Sequence, residues 1–268
     1  MREEMHRACQ HRSGLPGLEV VSVSSARAFP RHAHDHFGIG VVLRGRHRSW
    51  SGIGAVEAFP GDVITVNPGE IHDGLPVQGQ VRAWQMLYLD PPLLADLIGA
   101  ESPGDIEITR PALSDPDLAG RLAHLSTGIA TVGPEAIAVE QALVAILVPL
   151  LSRYGRRPTP RCGPPPFVAR ALRRLEEAPE TAATLAELAG LSGVSRFQLL
   201  RGFARATGTT PHAYLVQQRV RLVRRLLSAG RSPAEAAAEA GFADQSHMTR
   251  AFVRQFGVTP ARYRAALA

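Results

Sequence analysis

The spacing of apolar and polar residues changes period along this chain, and the changes mark its organisation. Between residues 18 and 90 the pattern is short and alternating. Residues 18–28 alternate apolar with small polar side chains, and 37–43, 62–66 and 82–89 are rich in β-branched or aromatic residues. Turn chemistry separates these runs at Arg44-Gly45, Pro60-Gly61 and Asn67-Pro68-Gly69, where glycine supplies the dihedrals that other residues avoid. Several short strands at near-regular spacing predict a small barrel or sandwich.

From about residue 114 the period becomes helical. Leu118, Leu122, Leu125 and Ile129 fall at i, i+4, i+7 and i+11, one stripe of a helix. After a break at Gly133-Pro134, a second helix carries Val139, Leu143, Ile146, Leu147, Leu150 and Leu151. Residues 154–166, rich in Pro, Gly and Arg, have the composition of an extended linker. From Phe167 onward the pattern is helical again, punctuated by glycines and by prolines at helix starts.

The C-terminal part repeats itself. Residues 200–214 align without gaps with 249–263, and both copies read Arg-x-Phe-x-Arg-x-x-Gly-x-Thr-Pro-x-x-Tyr, at an offset of 49 residues. Gly208 and Gly257 suit the position just past a helix end, and Thr210-Pro211 and Thr259-Pro260 suit the start of the next helix. Upstream of each copy lies a short helical stretch and a tight turn: 184–191 then Ser192-Gly193-Val194, and 233–240 then Gly241-Phe242. Helix, turn and helix form a helix-turn-helix, and two copies are fewer than a solenoid needs.

Charge strengthens the contrast between the halves. All 30 basic residues are arginine; residues 161–268 carry a net charge of +9 and residues 1–160 a net of −3. A basic half joined to an acidic half points to one polyanion-binding domain. Helical geometry then selects the contact face. Leu199 and Phe203, like Met248 and Phe252, should face a core, and a position two residues on points away at about 100° per residue. The exposed stripes are therefore Phe197, Leu200, Arg201 and Ala204 in the first copy, and Ser246, Thr249, Arg250 and Val253 in the second. Arg201 and Arg250 are the candidate base readers, with Phe197 suited to a thymine methyl. Arg196, Gln198, Arg205, Gln245, His247 and Arg254 flank them, and most such contacts go to the DNA backbone.

Residues 185–264 resemble the AraC/XylS family of transcription regulators. The resemblance rests on Leu188-Ala189, Gly193-Val194-Ser195-Arg196-Phe197, Arg201-x-Phe203, Gly208-x-Thr210-Pro211-x-x-Tyr214, Arg219 and Leu226-Leu227. In the second copy it rests on the run from Ala240 to Ser246, on Arg250-x-Phe252, and on the run from Phe256 to Pro260 with Tyr263-Arg264. It implies seven helices, two recognition helices in successive major grooves, and a long helix over about 211–228 joining the modules. Ala236-Ala237 departs from the larger aliphatic usual before the second alanine.

Residues 31–74 look like the cupin-type sensor common in that family. His32-Ala33-His34 followed by Gly38 and Gly45 matches the first cupin motif, and Gly61 followed by Asn67-Pro68-Gly69-Glu70-Ile71-His72 matches the second. Gly38 stands where metal-binding cupins carry a glutamate. His32, His34 and His72 could form a three-histidine metal site, but the missing carboxylate favours a pocket with no metal or cofactor. His36 continues the alternation and should face inward, and Trp50, Trp84 and Tyr88 are candidate lining residues beside the histidines.

The expected architecture is α+β and multidomain. A cupin-like β-barrel sensor occupies 1–113, helices with a possible dimerisation role 114–153, the linker 154–166, and an all-α double helix-turn-helix 167–268. The expected function is ligand-responsive, sequence-specific DNA binding by a homodimer, with promoter DNA, a small-molecule effector and RNA polymerase as partners. Two rivals remain at this point: a cupin enzyme with a DNA-binding tail, which Gly38 argues against, and an architectural DNA-binding protein, which the pocket motifs argue against. No apolar run reaches the ~18–20 residues that span a bilayer; the best candidate, 136–151, is interrupted by Glu140, Gln141 and Pro149. With no apolar leader and only Cys9 and Cys162 as thiols, the expected location is the cytoplasm.

Overall fold

The computed structural model describes residues 6–100, 106–131, 135–157 and 163–267. The chain divides into two compact units, residues 1–159 and 160–268. The helix break at Gly133-Pro134, the middle of the linker and Cys162 lie outside the described residues, whereas Cys9 is exposed.

In the first unit, β1 (His6–His11), β2 (Leu18–Ser25), β4 (Phe37–Arg44), β7 (Val63–Val66), β9 (Arg82–Leu89) and β11 (Ala112–Leu113) form a six-stranded sheet in the order β1-β2-β9-β4-β7-β11. A second sheet runs β3 (Phe29–His32), β8 (His72–Pro76), β5 (His47–Ser51), β6 (Gly54–Ala58). All pairings are antiparallel. The glycines at the foreseen turns, Gly45, Gly61 and Gly69, all adopt positive φ. The strand expected over 18–28 ends earlier, at Ser25. The Arg27 N–H bonds back to Ser25 Oγ, a local turn that ends β2, and the chain enters the other sheet at Phe29.

Alternation gives the large sheet two apolar faces. Val20, Phe37, Ile39, Val41, Leu87 and Leu89 pack against α1 (Pro91–Ile98), α2 (Pro116–Thr131) and α3 (Ala136–Tyr154) in one core. The helices over 114–153 are thus part of the sensor's own core. The short α1, opened by Pro91-Pro92 and closed by Gly99 in the left-handed region, has no long periodic signal in the sequence. Contrary to expectation, α3 is long and apolar enough to cross a bilayer by length and composition; Pro149 sits inside it without ending it. Its Val139, Leu143, Ile146, Leu147 and Leu150 are buried in this core, while Ile137 and Val148 are exposed.

The first residues of the expected linker belong to the first unit. Gly155–Arg156 forms β12, paired with β10 (Glu107–Ile108). Arg156 Nε meets Glu107 Oε2 at 2.9 Å. This partner lies 49 residues upstream, out of reach of a local reading.

The second unit is helical among its described residues: α4 (Pro166–Glu177), α5 (Leu185–Ser192), α6 (Arg196–Thr207), α7 (Pro211–Ser228), α8 (Pro233–Glu239), α9 (Gln245–Phe256) and α10 (Pro260–Leu267). These are the seven helices that the resemblance implies. Val168, Ala171, Leu175, Leu188, Leu199, Phe203 and Leu215 form the core of its first half. The Phe167 ring of α4 packs against Gly202 and would have to move aside for a Cβ there. In the second half Ala236, Ala237 and Ala240 are fully buried together with Met248, Phe252 and Tyr263.

Candidate nucleic-acid interface and effector site

Both recognition helices are launched by turn chemistry legible in the sequence. Thr184 and Glu187 cap each other's backbone at the start of α5, and Gly193 ends that helix at φ +68°. Ser195 and Gln198 form the same reciprocal box at the start of α6, which satisfies two otherwise orphan N–H groups. In the second copy Ser232 and Glu235 form the box on α8. Asp244 caps α9 by accepting the His247 N–H at 2.6 Å. Gly208 and Gly257 close α6 and α9 in the left-handed region.

These caps orient the faces as the helical period requires. Leu199, Phe203, Met248 and Phe252 are fully buried. Arg196, Phe197, Gln198, Leu200, Arg201 and Arg205 are exposed on α6, as are Gln245, Ser246, Arg250 and Arg254 on α9, with Thr249 half-buried. Phe197 is 65% exposed, and the Arg201 guanidinium lies 5.3 Å from its ring centroid. That contact pre-orders the arginine at little solvation cost. Two flanking residues are partly committed elsewhere. Gln198 Oε1 accepts the Ser195 N–H, and the half-buried His247 ring stands edge-on to Phe242 at 5.3 Å.

In the first unit, side chains from both sheets and the loop after β3 meet between the sheets. The His32 and His72 rings lie 4.3 Å apart, His34 and His72 5.0 Å, and His34 and Tyr88 5.1 Å. His32 and His34 were expected on one strand. Instead β3 ends at His32, and the His34 carbonyl accepts the Gly69 N–H from the loop before His72. Three backbone carbonyls fix the ring orientations: Nδ1 of His32, His34 and His72 donates to Pro30, His36 and Glu70, respectively. His36 is buried one step away, its Nε2 2.6 Å from Asp90 Oδ1. Burial, opposed by the Glu70 carbonyl and helped by His47, lowers His72 to about 4, so its imidazole is neutral near pH 7.

Trp84 lies deeper, 5.8 Å from Phe29 and 5.3 Å from His47. Beside it sits Arg82, wholly enclosed. Its Nε donates to His47 Nδ1, and its two Nη atoms donate to the carbonyls of Arg27 and Gly74. Among the described residues no carboxylate bonds this guanidinium; burial lowers it to about 10, leaving it charged. Burial first, then the Arg82 charge, drives His47 down to about 3. Sequence reasoning passed over Arg82 and His47. The signal was present, since Arg82, Trp84 and Tyr88 share one face of β9 by alternation. Trp50 stands apart from the cluster. It alternates with the buried His47 and Ser51 on β5, and the Arg31 guanidinium covers its ring at 3.8 Å.

Among the described residues no three His, Cys, Asp or Glu side chains are placed to hold an ion. A Cβ on Gly38 would crowd the Met86 methyl and the Tyr88 ring, so the carboxylate position of the cupin motif is filled by its neighbours.

An AraC-like ligand binding domain matches residues 15–147, and a helix-turn-helix domain matches residues 188–266. The chain belongs to the AraC type of transcription regulator. It is 29% identical over 225 residues to YbfI of Bacillus subtilis, an uncharacterised helix-turn-helix transcriptional regulator, covering 82% of this chain and 81% of that protein. Over 100 residues it is 34% identical to RclR of Escherichia coli, named as an RCS-specific transcriptional activator, covering 37% of this chain and 35% of RclR. A point variant of apo ToxT from Vibrio cholerae has the same fold, with a TM-score of 0.55 at 12% identity over 98% of this chain and 97% of that one. As an AraC-type regulator, the chain joins a ligand-binding domain to a DNA-binding domain, and double-stranded DNA and a small effector are its partners.

Proposed function

We propose that this regulator senses a small polar metabolite between its two sheets and converts that binding into altered occupancy of a bipartite DNA site read by α6 and α9. The observation that carries the reading is one geometry made twice. Each recognition helix buries its Phe and leaves an arginine exposed at the same helical position, Arg201 and Arg250. A guanidinium there matches O6 and N7 of guanine. Phe197 and Leu200 suit thymine methyls, and Ser246 and Thr249 give the second face polar contacts. Arg196, Arg205 and Arg254 serve the phosphates, flanked by Gln198, Gln245 and His247.

The effector site comprises His32, His34, His36, His72, Trp84 and Tyr88, with Trp50 at its periphery. Imidazoles and a phenol offer donors and acceptors to a polar ligand. The chain carries out no catalysis and needs no cofactor in this reading; Gly38 withholds the carboxylate that a cupin metal centre would use. The working form is a cytoplasmic homodimer. Ile137, Gln141, Val144 and Val148 follow i, i+4, i+7 and i+11 along α3, and the two aliphatic ends are 62% and 53% exposed, a stripe suited to a second copy. RNA polymerase is a further partner in this reading.

The test is an operator titration of His34→Ala and His72→Ala with and without inducer, after genomic footprinting of the purified protein identifies operator and target genes. Both variants should bind operator as the wild type does without inducer and respond weakly to it. A fully preserved response, or loss of all DNA binding in folded protein, would place the sensor elsewhere.

A further inference from the structure

The segment 178–184 between α4 and α5 has no regular structure, yet it is pinned along its length. Arg174, in the last turn of α4, donates Nη1 to the Ala178 carbonyl at 3.3 Å and Nη2 to the Ala182 carbonyl at 3.4 Å. Its Nε reaches Glu187 of α5 at 3.2 Å. These contacts hold the loop's shape within the first helix-turn-helix module.

Two further contacts leave that module. Arg219, midway along α7, donates Nε to the Pro179 carbonyl at 2.8 Å. Its pKa is lowered by burial, against the raising effect of Glu180. Gly241, in the turn between α8 and α9, lies flat against the Glu180 backbone. Any Cβ at Gly241 would collide with the Glu180 carbonyl oxygen, carbonyl carbon and Cα. Gly241 also has a φ of +76°, so glycine is demanded there twice, by dihedral and by space. Three residues later Asp244 caps α9. The turn that launches the second recognition helix therefore rests on a loop of the first module.

The connecting helix α7 is built into both modules, with Leu215 in the core of the first and Arg224 Nε donating to the Tyr263 hydroxyl of the second at 2.9 Å. The loop contact at Gly241 ties the modules a second time, away from the axis of that helix. DNA makes the angle matter, because each base pair turns the groove by about 35° and advances it by ~3.4 Å. We propose that the loop 178–182, tied by Arg219 and seated against Gly241, is a bracket that fixes the pitch between α6 and α9, so that the protein accepts two half-sites at one spacing. Arg219 and Gly241 are positioning residues that touch no base. The proposal rests on the reading that both helices enter major grooves.

The experiment uses the full chain and a duplex selected from a random library by the wild type. Affinity is measured at the selected spacing, with one and two base pairs added or removed between half-sites, and with either half-site scrambled. The wild type should lose about tenfold or more on a one-base-pair change. Arg219→Met should flatten that dependence and weaken binding at the selected spacing, with unchanged affinity for each single half-site. Arg219→Lys, which keeps a donor, should restore the preference. Two glycines inserted between Glu180 and Thr181 loosen the same bracket without altering Arg219 and should act as Arg219→Met does. Steep wild-type-like spacing dependence in folded Arg219→Met and in the insertion variant overturns the bracket alone. A wild type indifferent to scrambling of the second half-site overturns both the bracket and the two-groove reading.

Discussion

Asn67 holds Ile108 by both sides of its backbone: Oδ1 accepts the Ile108 N–H at 2.7 Å, and Nδ2 donates to the Ile108 carbonyl at 2.8 Å. The same side chain donates to Glu70 Oε2 at 3.0 Å, and the Glu70 carbonyl accepts His72 Nδ1. Ile108 in turn pairs with Gly155 in the β10–β12 ladder, where the described part of the linker begins. A single polar side chain therefore joins the histidine cluster to the strand that leads out of the sensor.

Asn67→Ala should destabilise the first unit by ~1–3 kcal/mol, since it strands a backbone donor and acceptor. Trp50 and Trp84 are the only tryptophans, so fluorescence melting of the full chain reports on that unit. The inducer response should weaken while uninduced DNA binding persists. An unchanged melt together with an unchanged response would show that the link carries neither stability nor signal.

On DNA, Arg201→Ala should cost ~1–3 kcal/mol at the specific site and relax preference at one base pair. Arg205→Ala should instead weaken all sequences evenly and reduce the salt slope by about one unit. Replacing thymine by deoxyuridine, which deletes only the methyl group, should weaken the half-site read by Phe197 and Leu200 more than the other. Equal effects of Arg201→Ala on specific and random duplexes would remove it from the base readers.

Acid should loosen the sensor before carboxylates titrate. His47 and His72 sit at about 3 and about 4 in the folded unit against an ordinary 6.5. Below pH 6.5 the unfolded chain takes up protons that the folded chain refuses. Stability is thus full above that value and falls as pH drops toward 4, each group adding a slope of ~1.4 kcal/mol per pH unit. Asp115, held low chiefly by the Leu118 N–H it accepts, contributes only in more acid solution. Tryptophan-monitored melts between about pH 7 and about 4.5 should show the decline, and His47→Gln should reduce it. A flat wild-type profile would contradict neutral imidazoles at these two positions.

Val148→Asp places a charge in the exposed stripe of α3 without entering the core. It should shift the mass of the full chain from dimer to monomer at tens of micromolar, with tryptophan melting unchanged at low concentration. A wild type that is already monomeric there would assign the stripe another role.

The helical half was largely legible from local chemistry. Caps, terminal glycines and a 3.6-residue period act within a few residues of where they are read, so Ser195, Gly208, Phe203 and Arg201 declare their places without any partner. The sheets were legible as strands, because alternation is also local, and the histidine motifs marked side chains that meet between the sheets.

Pairing and enclosure needed the folded chain. Trp50 stood among the candidate lining aromatics, but strand phase relative to His47 and the cover of Arg31 set it apart. Residues 154–157 had linker composition, yet Glu107 and Thr109 capture them. Nothing local marks Arg82 as buried, and the carbonyls that hold it belong to the distant Arg27 and Gly74. Contacts of this kind join residues tens of positions apart, and their energy depends on where the backbone has already been brought. The sequence by itself therefore determined the elements, their ends and the two arginine-bearing faces, while the tertiary structure alone decided which side chains share the sensor's interior and which loop sets one recognition helix against the other.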